Sequence, residues 1–459
     1  MRLSEKTASR MAPSVDVYTY DRAAQAVGIV HLGIGAFHRA HQAWYTDAAM
    51  NLGCRNWMIT GVSFRSRETA AQMNAQNGLY TVTERSASSV KVRLVGAVRH
   101  VLPSSQAQSH SPAIIACRTT RIVSLTITEK GYCRNADGTL NLARAEEATS
   151  IYPTLVEGLR RRRADNLGGL TVLSCDNLAG NGAQLASLIQ QFCERHEPAL
   201  ANWIAAECSF PSTMVDRIVP ATTPEDVTQV SRHTGVQDMA AVMTEPFSQW
   251  VIEDRFSSGR PAWEKVGVQM VSDAAPYEKA KLRMLNASHS ALAYLGLRRG
   301  HRYVHEAVVD PSINSVVSAI MLREAAPSIE VAPSQDLHAY HDQLLERFRN
   351  PELRHELRQI AMDGSQKIPQ RWLETLAFHR SRDESCPGLL EAIGAWLSHL
   401  GSDPLLVSDP LKERARAIWE AEGREGIVEA MFGNRGLFAQ IWTANEHDLR
   451  AITMNTIRY

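Results

Sequence analysis

Short apolar runs rich in β-branched residues, separated by stretches of helical texture, constrain the first half of this chain more than any other feature. GIVHLG (28–33), WMITGVS (57–63), RIVSLTI (121–127), LTVLSC (170–175) and VGVQMV (266–271) read as buried strands. Residues 39–52, 143–163 and 183–206 read as helices between them. A strand that is apolar throughout, rather than alternately, has both faces covered. Intervening helices supply that cover when the strands run parallel, so the expectation is a mostly parallel sheet in α/β layers. After Pro276 the pattern becomes helical through to the end. LLEAIGAWLSHLG (389–401) is one such stretch, closing on the candidate C-cap Gly401. A chain of 459 residues exceeds one core, and the change of texture predicts domains 1–275 and 276–459.

Lys+Arg and Asp+Glu balance at 49 each, so no basic excess argues for nucleic acid or an anionic membrane. No apolar stretch reaches membrane-spanning length, and MRLSEKTASRMAP lacks a signal-peptide core. Seven cysteines without a CxxC pair suit reduced thiols, hence a cytoplasmic enzyme.

GIVHLGIGAFHRAH (28–41) runs from a strand through a glycine turn into a helix. Gly33 and Gly35 are the first two glycines of a G-x-G-x-x-G loop, which brings backbone amides close to a pyrophosphate. His38 takes the place of the third, and glycines that merely turn the chain are the alternative. A ribose group belongs at the end of the next strand. There Glu68 favours NAD, whereas Arg65 or Arg67 would suit the 2′-phosphate of NADP. Glu68 lies farther from the glycines than the roughly twenty residues usual for that role.

KLRMLNASH (281–289) puts Lys281, Asn286 and His289 among core-like neighbours. On an α-helix, Glu278, His289 and Asn286 fall roughly 60°, 80° and 140° around from Lys281, one broad arc. A lysine partly removed from water beside a cationic nicotinamide has its pKa pushed down, as a general base requires. An asparagine amide can donate to an oxygen that becomes negative, and a neutral histidine can hold a substrate hydroxyl. The alternative is a snorkelling lysine and a satisfied boundary histidine. SCDNLAGNG (174–182) places Asp176 and Asn177 at the carboxyl end of a strand, where open α/β sheets bind ligands. FPSTMVDRIVP (210–220) sets Asp216 and Arg217 among apolar residues with no helix or strand periodicity to explain them.

HLGIGAFHRAHQAWYTD, LTITEKGYC, SCDN, FPSTMVDRIVP, EPFSQWVIED, RPAWEKVG and KLRMLNASH together resemble the polyol-specific long-chain dehydrogenases, the mannitol dehydrogenase family, up to about residue 375. The last eighty or so residues match less clearly. The resemblance implies a Rossmann-like N-terminal domain, a helical C-terminal domain and metal-independent hydride transfer with NAD, NADP staying open because Arg67 stands where a second acid can occur. It implies Lys281 as general acid/base, Asn177 and Asn286 as an oxyanion hole, His289 and Asp216 on substrate hydroxyls, and Glu278 at a proton exit. Gly33, Ile34, Gly35, Ala36 and Phe37 match the cofactor loop and Glu68 the ribose acid. The family often works as a monomer.

RQIAMDGSQKIPQR (358–371) is closer to fructuronate reductases, with Gln359 where mannitol dehydrogenases carry arginine and Lys367 shared. A sugar acid needs a cation, for which Lys367 and Arg371 are the candidates; for Arg371 a solvated helix face is the expectation. The substrate expected is an acyclic sugar acid or polyol, D-mannonate/D-fructuronate ahead of D-mannitol/D-fructose or D-arabinitol. HRAH (38–41) and HAYH (338–341) lack the partners of a zinc site, the second reading as a polar helix face. A non-catalytic NAD(H) sensor would have lost the base or the oxyanion donors, and this chain keeps both.

Overall fold

The computed structural model describes residues 1–64, 66–195, 197–333 and 335–456. It divides into two compact units, Met1–Ala275 and Pro276–Tyr459.

The first unit is built on five strands, β1 (Val27–Leu32), β2 (Met58–Val62), β3 (Val98–Leu102), β4 (Ile122–Leu125) and β5 (Thr171–Ser174). They lie in the order β3-β2-β1-β4-β5 and every neighbouring pair is parallel. Val30, Leu32, Val62, Val123 and Val172 point into one apolar cluster with Leu155, Leu159 and Leu188 from the covering helices. Ile29, Ile59, Val98, Ile122 and Leu173 point to the other, against Tyr45, Met50, Trp250 and Trp263. Both faces are therefore buried, which is why these runs are apolar without alternation.

Several expectations are corrected here. Each long helical stretch is two helices. The first breaks at His41, between Ala36–Ala40 and Gln42–Asn51. The second breaks before Ser150, whose hydroxyl caps Ile151–Ala164, and the third at Pro198, which opens Pro198–Glu207. VGVQMV contributes only Gln269–Val271, to a separate three-stranded sheet with Gln249–Glu253 and Thr213–Asp216. FPSTMVDRIVP thus does contain a strand. All four of its residues are buried, so it shows no alternation to read. A third sheet holds the antiparallel pair Tyr80–Arg85 and Val90–Val95, which the apolar-run criterion passed over because Val90, Lys91 and Arg93 are solvated or half-buried.

The second unit is helical: Pro387–Leu400 and Leu357–Ala361 pack on the buried face of Ala287–Arg298, and Glu446–Asn455 packs in turn on Pro387–Leu400. Gly401 does follow Pro387–Leu400, but its φ of −83° is ordinary and not left-handed. Glycine is needed there for space, since a Cβ would stand 2.9 Å from Trp419 Cε3. HAYH is only half a polar face, because His338 is exposed whereas Tyr340 and His341 are buried. No helix among the described residues is long and apolar enough to cross a membrane.

Gly401→Ala should therefore destabilise by about 1–3 kcal/mol through overpacking against Trp419, read as a lower urea midpoint with nucleotide binding intact below the transition.

Candidate functional site

The order of the five strands reverses at β1, which has β2 on one side and β4 on the other, and ligands of such sheets bind beyond the carboxyl ends at this point. A cavity of about 300 Å³ lies there, lined by Gly33, Ile34 and Gly35 after β1, by Ser63, Phe64, Ser66 and Thr69 after β2, and by Thr126–Thr128 after β4. Gly33 has φ +93°, and a Cβ on it would strike the Thr126 carbonyl at 2.3 Å. A Cβ on Gly35 would meet nothing nearer than the Gly33 carbonyl at 3.9 Å, so open space lies over that residue. Such a cradle fits the close approach of a pyrophosphate. Ile34 turns inward, with its side chain over Gly61, and takes part through its backbone. Ala36 starts the short helix and Phe37 stacks on His41 with ring centroids 5.0 Å apart.

Buried polar groups brace this turn. His31 bonds Ser124 Oγ at 2.8 Å and Thr126 Oγ1 at 2.9 Å, and Thr126 Oγ1 donates to the Gly33 carbonyl at 2.9 Å. His38, in place of a third glycine, stacks on His31 at 3.4 Å. Burial lowers its pKa to about 3, so the stack is neutral. His41 Nε2 bonds the Gln249 carbonyl. The histidines of HRAH are thus structural, and among the described residues no cluster of three or more His, Cys, Asp or Glu could hold a metal ion.

Thr128 has φ 64° and ψ 162°, a region almost reserved for glycine. Asp176 holds it there, accepting from the Thr128 and Ile127 amides at 2.9 and 3.0 Å and from Tyr132 Oη at 2.9 Å. Burial raises the Asp176 carboxyl above its ordinary value, against the pull of those donors. Asp176 therefore buckles the loop after β4 and does not emerge toward a ligand. Asn177, next in sequence, is exposed. Asn181, which the sequence reading passed over, is fully buried and ties the Asp176 carbonyl to Thr213. Asp216 ends its strand buried. Arg217 is structural, donating to the Ala40 and Glu245 carbonyls and to Glu84. Glu68 and Arg67 stand exposed in the first turn of Arg67–Asn74, Glu68 accepting from Gln72 at 2.9 Å; neither lines the cavity, whereas Ser66 and Thr69 do. Arg65 lies outside the described residues.

In the second unit KLRMLNASH is not an α-helix throughout. Ala275–Ala280 leads into a π-helical turn, Lys281–Asn286, and then into the α-helix Ala287–Arg298. A π turn bonds i to i+5 and takes more residues per revolution, so the angles expected for an α-helix do not hold. The distribution of burial survives the change. Glu278, Lys281, Asn286 and His289 are half-buried, while Arg283–Leu285, Ala287, Ser288 and Ser290–Gly296 are buried; of the core-like neighbours only Leu282 departs, being half-buried itself. The turn is gripped from outside: Arg283 donates to the Ser328 carbonyl at 2.8 Å and to Glu374 at 3.2 Å. Arg371 Nη1 donates to the Asn286 carbonyl at 3.2 Å and to Ser290 Oγ at 2.8 Å, and Trp372 Nε1 to the Ala287 carbonyl at 3.1 Å. The expectation of a solvated Arg371 is thus overturned; it is half-buried, and burial lowers its pKa to about 10.

His289 Nε2 is buried with no hydrogen-bond partner. Burial first, then His355, Arg347 and Arg371, hold its pKa well below the usual histidine value, so the ring is neutral and ready to exchange one hydrogen bond. His355, absent from the sequence reading, stands edge-on to His289 at 5.3 Å, its own Nδ1 buried and unpartnered. Only its spacing from the exposed Gln359, on the next helix, could have suggested it. Lys367 Nζ donates to the Met362 and Ile360 carbonyls.

Five parallel strands with a glycine cradle at the switch point, followed by a helical unit, define a dinucleotide-binding Rossmann-like enzyme class. The mannitol dehydrogenase Rossmann domain matches residues 27–265 and the mannitol dehydrogenase C-terminal domain residues 273–456, so the chain belongs to the mannitol dehydrogenase family and is an oxidoreductase. The family match runs to residue 456, well past the 375 or so visible in the motifs. The Escherichia coli (strain K12) D-mannonate oxidoreductase is 40% identical over 444 residues, covering 93% of this chain and 91% of that protein. The same organism's oxidoreductase YeiQ, itself uncharacterised, is 42% identical, covering 94% and 92%. The Pseudomonas fluorescens mannitol 2-dehydrogenase, solved as a ternary complex with NAD and D-mannitol, superposes with TM-score 0.83 at 34% identity, covering 99% of this chain and 96% of that one.

Gly35→Ala and Gly33→Ala should separate binding from folding. The first places a methyl in open space, so it should weaken NADH binding by fluorescence titration about tenfold while leaving the thermal midpoint unchanged. The second meets both positive φ and the Thr126 carbonyl, and should cost about 2–5 kcal/mol of stability as well.

Proposed function

We propose that this protein is an NAD-dependent, metal-independent dehydrogenase that interconverts a secondary alcohol and a ketone on an acyclic sugar acid or polyol. The observation that carries this is that the polar residues Glu278, Lys281, Asn286 and His289 are all half-buried, on a helical run whose residues 283–285, 287, 288 and 290–296 are buried. A partly desolvated lysine can change protonation at little cost, and an amide and a neutral imidazole beside it can bind oxygen without competing for the proton.

When bound at the glycine cradle, NAD supplies the acceptor or donor of hydride. In oxidation, neutral Lys281 takes the proton from the substrate hydroxyl, and the side-chain amides of Asn177 and Asn286 donate to the oxygen as charge builds there. In reduction, protonated Lys281 returns the proton to that oxygen. His289, through its unpartnered Nε2, and Asp216 orient neighbouring hydroxyls. Glu278, three residues before Lys281 and half-buried like it, passes the proton onward. Glu68 serves the adenosine ribose, its exposed carboxylate fixed by Gln72; Arg67 in the same turn leaves NADP as the second cofactor to assay.

D-mannonate/D-fructuronate stands ahead of D-mannitol/D-fructose. The sugar-acid reading is supported by the D-mannonate oxidoreductase relative and by the resemblance of residues 358–371, with exposed Gln359 among them, to fructuronate reductases. The D-mannitol complex of the Pseudomonas relative favours the polyol as the second reading.

Lys281→Ala should lower kcat about 10²–10⁴-fold, the range of general acid–base catalysis, with NADH affinity unchanged. Survival of full turnover across the pH range would sink the mechanism. Steady-state NADH oxidation with D-fructuronate, D-tagaturonate and D-fructose side by side tests the substrate. Preference for fructose reverses the ranking and leaves the chemistry standing.

A further inference from the structure

Arg371 sits on a second π-helical turn, Pro369–Leu373. Its Nη1 is committed to the Asn286 carbonyl and Ser290 Oγ, whereas no hydrogen bond or ion pair of the described residues engages Nε or Nη2. A half-buried cation is thus held by two neutral oxygens and has no carboxylate partner. Leaving such a charge uncompensated is costly, and side chains so placed are usually paired. The surroundings do not supply the missing charge. Arg347 and Arg371 bear on His289 together, and Lys367 adds a third cation to the same segment, offset on its own side by Asp363 and Asp409. Lys367 is the poorer ligand group, since its ammonium is occupied by the carbonyls of Met362 and Ile360.

Nε and Nη2 form one edge of the guanidinium, two parallel donors spaced to match the two oxygens of a carboxylate. With Nη1 fixed to the helix that bears Asn286 and His289, this edge is already oriented before a ligand arrives. We propose that Arg371 is the carboxylate anchor of this enzyme, selecting an acyclic sugar acid over the corresponding polyol through its Nε–Nη2 edge. The assignment rests on the function proposed above, in which Lys281, Asn286 and His289 handle the substrate.

Two substrates and two variants test it. For Arg371→Gln, kcat/KM with D-fructuronate should fall about 10- to 100-fold further than kcat/KM with D-fructose, the scale of one charge-assisted hydrogen-bonded contact; the loss common to both substrates reports the missing brace on Asn286. Arg371→Lys, which keeps the charge and loses the fork, should recover part of the loss on the acid alone. In the unaltered enzyme, D-gluconate should inhibit D-fructuronate reduction at least about tenfold more tightly than D-glucitol, a measurement independent of whether either variant folds. Equal losses on acid and ketose would mean that Arg371 acts only by holding Asn286, and would overturn the proposal. So would equal inhibition by the acid and the alcohol. If D-fructuronate turnover instead persists in Lys281→Ala, the underlying function is what has failed, whereas loss in Lys281→Ala beside an unchanged Arg371→Gln overturns the anchor alone.

Discussion

A helix at the centre of a core has no spare face, yet the second unit must present polar groups from the helix it is built around. The widened turn Lys281–Asn286 resolves that conflict. A π turn is uncommon because its backbone bonding is less favourable than the α form, and it persists where the surroundings hold it. Here they do so through Arg283 to Ser328 and Glu374, Arg371 to the Asn286 carbonyl, and Trp372 to the Ala287 carbonyl. Three of these contacts come from residues 371–374, so one segment far along the chain fixes the register of the proposed base and oxyanion donor. The apolar packing of Met284, Leu285 and Leu292 supplies the cohesion, and the side-chain donors decide which way the polar residues face.

The first unit meets a comparable demand by other means. Its cradle needs backbone in unfavourable conformations, Gly33 at positive φ and Thr128 in a region nearly closed to side chains. Strain of this kind is sustained only when neighbours over-determine it. Asp176 does so with two amide bonds, and the His31–Thr126 pair does so from below. Asp176 and His31 are buried, so their bonds form in a low-dielectric setting where an unmade bond would be expensive. Glycine where backbone must approach closely and buried polar clasps where it must bend are two halves of one construction.

What the sequence revealed follows the range of the interaction. Strands buried on both faces were legible because burial writes itself as unbroken apolar runs, and β1, β2, β4 and β5 lie where those runs predict them. The glycine turn was legible because Gly33 is required locally. The strand through Asp216 and the pair Tyr80–Arg85 with Val90–Val95 were not, the one being too short and uniformly buried, the other half-solvated. The π turn was invisible, since nothing in KLRMLNASH distinguishes it from a good α-helix; the cause sits at Arg371 and Trp372. Likewise Asp176 carries a motif's polarity but spends it on the loop after the neighbouring strand β4, and His355 becomes relevant only once folding sets it against His289.

The same logic bears on Arg371. A solvated helix face was the natural reading from sequence, because an arginine costs little there and much when buried. Evolution toward a polyol would be expected to neutralise or expose such a cation, as nothing in a neutral sugar alcohol offsets it. The chain instead keeps it half-buried, braces one nitrogen against the helix of Asn286, and gives it no carboxylate partner among the described residues. An arrangement that is unfavourable for the protein alone becomes favourable when an anion completes it. That is how a binding site purchases selectivity between an acid and its alcohol at positions the reacting carbon never touches.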